Sequence, residues 1–194
     1  MKTYKKPLLF VIFLFALVTS CKDQPKAKAP EKIAKEQNQA NQQHQVTHKK
    51  VVDYSTYLVD IVHDQLFEIE LGKLGKQKST NENIRDFAAE LEKHHEKRLQ
   101  KLNVLAADFH YAVPHNLSDK QWEEIQDLEQ TKAKNFDKKW LEIVISKHNQ
   151  AADVLIDAIN KIDNQNMRNQ LNETLQEVRS HLEAATFIQN KQLK

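Results

Sequence analysis

Glycine and proline are almost missing from this chain, which has two glycines and four prolines in 194 residues. The glycines, Gly72 and Gly75, lie one helical turn apart, and Pro114 is the only proline after residue 51. Strands need turns, and turns draw on glycine, proline or Asn-Gly pairs; without them a chain cannot reverse often enough to build a sheet. Apolar residues recur instead at spacings of three and four, the period of a helix with one buried face. Residues 51–194 are therefore expected to form one all-α domain, long enough for a real core.

The pattern predicts four long helices and a connector. The first runs from about Asp53 to Lys78, with Tyr54, Leu58, Ile61, Val62, Ile69 and Leu71 or Leu74 on its buried side. Ser79, Thr80 and Asn81 offer side-chain oxygens to the free N–H groups of the next helix, which carries Ile84, Phe87, Ala88, Leu91, Leu102, Leu105 and Phe109. Pro114 stops its continuation, and Ser118-Asp119 starts a short amphipathic segment around Trp122, Ile125 and Leu128. A third long helix begins near Phe136 and carries Trp140, Val144, Ala151, Leu155, Ile159 and Ile162. Asp163-Asn164 breaks it, and the fourth carries Leu171, Leu175, Val178, Leu182, Ala185 and Ile188. Long helices joined by tight turns pack as antiparallel neighbours. The expected architecture is an antiparallel four-helix bundle with a short helical crossover between its second and third helices.

The N-terminal part reads differently. Lys2, Lys5 and Lys6 precede an apolar run from Leu8 to Val18, followed by Thr19, Ser20 and the only cysteine, Cys21. A basic start, a short apolar run and small residues at the cleavage point describe a secretory signal over residues 1–20. The run falls short of the roughly 20 apolar residues that span a bilayer. A cysteine directly after Val18-Thr19-Ser20 looks like a bacterial lipobox, so Cys21 is expected to be lipidated and to hold the mature protein to a membrane. An ordinary signal peptide with an incidental cysteine is the alternative. Lys22, rather than an aspartate, after the cysteine points by analogy with lipoprotein sorting to the outer membrane of a bacterial envelope.

Processing changes the charge balance. Removing the three signal lysines from 29 basic residues leaves 26 against 27 acidic ones, so the formal +2 belongs to the precursor. The electrostatic footprint of a nucleic-acid binder is lost with it. One cysteine allows no disulfide within the chain, so stability must come from packing, or from packing plus a metal. Residues 21–50 are expected to be a lipid-anchored flexible linker, because a stretch such as Glu36 to His44 has little to bury. A frayed helix around Glu31–Gln43 is the alternative for that segment.

Each long helix has one polar interruption on its apolar stripe: Glu68, His95, His148 and His181. Buried carboxylates and imidazoles are costly unless paired or coordinated. Counting at 1.5 Å per residue, His148 lies about sixteen residues before the turn at Asn164 and His181 about seventeen after it. His95 falls at the same height by the same reckoning, with Glu68 within about a turn and a half. Two readings compete. One is a metal site of three imidazoles and one carboxylate, suited to zinc, copper, iron or manganese. The other is a structural layer in which the histidines bond to Glu68, Glu142 and Glu177 and fix helix register. Gly72 and Gly75, just after Glu68, mark either close helix packing or room beside that layer.

Other chemistry is sparse. Glu92-x-x-His95 matches one half of a di-iron bundle motif, but Val178 stands where the second glutamate belongs. There is no Cys-x-x-Cys-His, Gly-rich phosphate loop or nucleophile elbow. His94 is expected to be a solvated flank residue, Lys97-Arg98 a solvated face, and His63, His110 and His115 to lack partners. No catalytic constellation emerges beyond the polar layer. A membrane-tethered structural or binding bundle is the leading expectation, and a metal-dependent oxidoreductase or metal-storage module the alternative.

An ordered set of residues carries a family resemblance: Glu68-Ile69-Glu70-Leu71-Gly72 with Leu74, Ile84-Arg85-Asp86-Phe87-Ala88 leading to His95, Val113-Pro114, Phe136-Asp137 with Trp140 and His148, and His181-Leu182. From about Tyr54 to Gln189 the chain resembles domain-of-unknown-function family 4142, bacterial envelope proteins often described as outer-membrane proteins. The resemblance implies a ferritin-like helical bundle in the cell envelope and no settled activity. His94 stands where the family usually has an aspartate, and Gln176 where it usually has a proline.

Overall fold

A computed structural model describes residues 28–43 and 54–192. Among them are six helices and no strand: α1 (Pro30–Gln43), α2 (Tyr54–Lys78), α3 (Glu82–Asp108), α4 (Asp119–Glu129), α5 (Ala133–Lys161) and α6 (Gln165–Gln192). The all-α expectation holds, and the helix starts follow their capping chemistry. Asn81 accepts from the Ile84 N–H, Ser118 and Gln121 form a reciprocal capping box, and Asn164 accepts from the Met167 N–H. α5 starts at Ala133, ahead of the expected Phe136; Lys132, at its N-cap, makes no side-chain cap that a sequence could advertise. α3 ends in a left-handed residue, His110 (φ 55°), with Tyr111 N–H donating to Ala106 O and His110 N–H to Ala107 O.

α2 is the central element. It packs on α1, α3, α4 and α5, while α5 pairs with α6 and α6 touches α3. Three-residue turns at 79–81 and 162–164 make α2/α3 and α5/α6 antiparallel hairpins. Two apolar clusters fill the interior. One holds Phe67, Leu71, Ile84, Leu91, Phe136 and Trp140; the other holds Leu58, Val62, Leu102, Leu155, Leu171 and Val178. Glu68, His95, His148 and His181 are all buried on stripes that pass from one cluster to the other.

Gly72 and Gly75 serve close packing. A Cβ on Gly72 would meet Ala88 O and Glu92 N at 2.9 Å, and one on Gly75 would meet the Trp140 ring at 2.7 Å. The Trp140 indole N–H donates to Leu71 O at 2.8 Å, across this same contact.

Over residues 30–43 the flexible linker gives way to the helix named as its alternative around Glu31–Gln43: they form α1. Pro30 opens it, Ala34 and Asn38 are buried, and the Asn38 amide makes two bonds to Ala112, donating to its O (2.9 Å) and accepting from its N–H (2.7 Å). Lys35 pairs with Asp60, and His63, expected to be alone, lies 3.5 Å from Glu31. A partner more than 70 residues away orders a segment whose own composition is polar. Trp122 differs as well: it is 45% exposed, and Ile125 and Leu128 carry the buried face of α4. The proposed signal sequence and Cys21 lie outside the described residues. Among the described residues no helix is long and apolar enough to cross a membrane.

Candidate metal centre

α3, α5 and α6 each bring one histidine to the same height. The rings of His95, His148 and His181 have centroids 5.3 to 5.6 Å apart, and one ligand-capable nitrogen from each lies within 4.8 Å of the others. Turn positions and helical rise therefore placed these three correctly. Glu68 is not in that group. Its Oε1 stands 3.5 Å from His148 Nδ1, on the side of the ring opposite the Nε2 that faces His181.

The hydrogen bonds fix which nitrogens converge. His148 Nδ1–H donates to Val144 O at 2.9 Å, which leaves Nε2 as a bare lone pair. The Gln65 amide nitrogen donates to Ile61 O, so its Oε1 accepts from His95 Nδ1–H at 2.8 Å and His95 Nε2 is bare too. That Nε2 is buried with no partner. His181 faces His148 Nε2 through Nδ1 (3.3 Å) and His94 Nδ1 through Nε2 (3.0 Å). His181 and His94 are left a linked choice of tautomer. With Nδ1 protonated His181 donates to His148. With Nε2 protonated it donates to His94 and adds a third lone pair to the other two.

Charge is expelled from this layer. Burial holds His95 well below the ordinary imidazole range, helped by His148, His181, His94 and Arg98. Burial takes His148 down to about 4 against the Val144 carbonyl, and takes His181 down to about 3 with help from His148, His94 and Arg98. Burial raises Glu68 well above the carboxylate range, with Asp64 adding to the rise and Lys147 opposing it. Both shifts disfavour an ion pair between Glu68 and His148, and among the described residues Glu68 Oε2 has no partner. Beside them lies a cavity of about 20 Å³ lined by Asp64, Gln65, Glu68, His95 and His148, which admits about one water. Burial raises Asp64 to about 6.

Sequence reasoning missed three residues here. His94, expected to be solvated, is half-buried and stacked on His181 at 5.3 Å. Arg98, expected on a solvated face, is buried and pairs with Glu177. It lies three after His95 and four before Leu102, so the stripe that exposed the histidines already pointed to it. Gln65, four after Ile61, carried the same signal. The acids expected to bond the histidines are elsewhere: Glu177 is on Arg98 and Glu142 lies 3.9 Å from Lys138. Glu92 is paired with Lys76.

The chain belongs to the family described as domain of unknown function DUF4142, whose model matches residues 34–188. Among solved structures, the crystal structure of a DUF305 fragment from Deinococcus radiodurans is similar, with a TM-score of 0.65 and 8% sequence identity. The match covers 74% of this chain and 99% of that one, and at such low identity it bears on the fold alone. None of the curated proteins matches the chain.

Proposed function

We propose that this DUF4142 member is an envelope lipoprotein whose helical domain binds a divalent transition metal between His95, His148 and His181. The observation that carries the metal reading is the direction of the lone pairs. His95 and His148 each spend the outward N–H on a protein oxygen, and each is left with a bare inward nitrogen. Metal-bound histidines are held in this way, the second ring nitrogen donating to an oxygen that fixes tautomer and ring plane. With its Nε2 protonated, His181 donates to His94 Nδ1 and is held in the same way. A purely structural layer would consume those lone pairs, yet His95 Nε2 is unpartnered.

Neutral imidazoles bind a metal without first losing a proton. Three nitrogens and no thiolate suit zinc or copper better than the oxygen-seeking manganese or the di-carboxylate iron centres. Such a centre retains a fourth position for water or a small ligand. We read it as a binding site rather than a di-iron oxidase, because Glu92 is held by Lys76 and Val178 replaces the second glutamate. In the same reading α2, α3, α5 and α6 form an antiparallel four-helix bundle of ferritin-like type. α4 is the crossover and α1 an outer strap that leads toward a lipid on Cys21.

Elemental analysis after loading with zinc or copper tests the centre. About one equivalent is expected in the wild type and none in His148→Ala. No retained metal under any loading condition would sink the reading. For the anchor, Cys21→Ser should move the protein from the membrane to the soluble fraction, and unchanged retention would count against lipidation.

A further inference from the structure

On the α6-facing side of α3, His94, Lys97, Arg98 and Lys101 follow the i, i+3, i+4, i+7 spacing of one helix face. With Glu177 they line a surface cavity of about 90 Å³, against the roughly 10–15 Å³ that admits one water. Three cations thus meet one carboxylate. Lys101 has a second acid nearby, Glu173 at 3.8 Å, with both side chains about half exposed.

Arg98 is the unusual member. It is 3% exposed, and a guanidinium is always charged, so its burial calls for full pairing. Among the described residues only Nη2 has a partner, the Glu177 carboxylate; Nε and Nη1 are buried without one. Glu177 itself is 47% exposed, so its carboxylate can swing away into water. A guanidinium fork takes two oxygens of an oxyanion at once, which a single carboxylate contact does not exploit.

We propose that this cavity binds a small tetrahedral oxyanion, phosphate or sulfate, on the Arg98 guanidinium, with Glu177 occupying the ligand's place when none is bound. Lys97 and Lys101 add charge at the mouth, and His94 forms the wall shared with the histidine layer. The site does not depend on the metal reading, because none of its donors belongs to the three converging nitrogens.

The test is calorimetric titration of the purified, chelator-treated protein with inorganic phosphate, repeated with sulfate. Saturable binding with a Kd below about 10 mM is expected. Arg98→Gln should weaken it by at least about tenfold, and Glu177→Gln, which removes the competing carboxylate, should tighten it severalfold. Should Arg98→Gln fail to fold, Glu177→Gln still decides: phosphate must raise its Tm more than that of the wild type. No saturable binding in either wild type or Glu177→Gln overturns the proposal, as does phosphate affinity unchanged in Glu177→Gln. Chelator treatment separates the two sites, since failure of metal loading leaves this result untouched.

Discussion

Two oddities lie within two turns of each other along α2, at the glycines and at Glu68 beside the histidine layer, and they resolve in opposite ways. At Gly72 and Gly75 every contact is filled: the Trp140 ring and the α3 backbone occupy the space a Cβ would need, and the indole N–H has its acceptor. At the histidine layer polar atoms are left over, with His95 Nε2 and Glu68 Oε2 buried and unpartnered. Packing alone accounts for the glycines. It does not account for the histidines, since buried polar groups without partners cost about 1–3 kcal/mol each. The difference separates a region that packing explains from one that packing leaves unexplained.

The comparison can be broken first at its packed end. Trp140→Ala is expected to cost about 3–5 kcal/mol of stability in urea unfolding. Metal stoichiometry of the folded fraction should be unchanged. A parallel loss of metal would join the two regions into one functional unit.

The polar end should respond to pH instead. Free imidazole takes its proton near 6.5, whereas folded His148 holds out to about 4, so between those values the unfolded chain binds more protons. This contribution is intact above pH 6.5 and is lost as pH falls toward 4, about 3 kcal/mol for His148 alone. His95 and His181 shift the same way and add to this acid limb. Glu68 and Asp64 act with opposite sign, because their raised folded values cost stability as pH rises past the normal carboxylate range. Urea unfolding of metal-free protein across pH 4–8 should show both limbs. His148→Leu should flatten the acid one, and an unchanged acid limb would mean the imidazoles are not held neutral.

The smallest effect is expected at the glycine contact. Gly72→Ala must push α2 from the α3 backbone and should cost about 1–3 kcal/mol. Substituting the neighbouring exposed Lys73 with alanine should cost less than about 0.5 kcal/mol. Equal effects at the two positions would show that the helices do not approach as closely as the 2.9 Å contacts require.

Much of this contrast was legible in the primary structure, though unevenly. The histidines were found because each breaks a helical stripe and lies at a countable distance from a turn. Arg98 and Gln65 broke the same stripes but were passed over in favour of more familiar ligand types. His94 gave no signal, since a residue beside the stripe meets α6 only through the rotation of α3. α1 was legible only as an alternative, a frayed helix around Glu31–Gln43, because the pairing of Asn38 with Ala112 that holds it is a contact no local pattern shows.

By itself the sequence determined the four long helices, most of their ends and the common height of three imidazoles, because periodicity, capping and helical rise are local properties. Tertiary structure alone decided which ring nitrogens face one another, that Glu68 stands on the far side of His148, and that Gly75 makes room for Trp140. Those outcomes depend on how each helix is turned about its axis and on the rotamers its neighbours permit, and neither is written in any one segment of the chain.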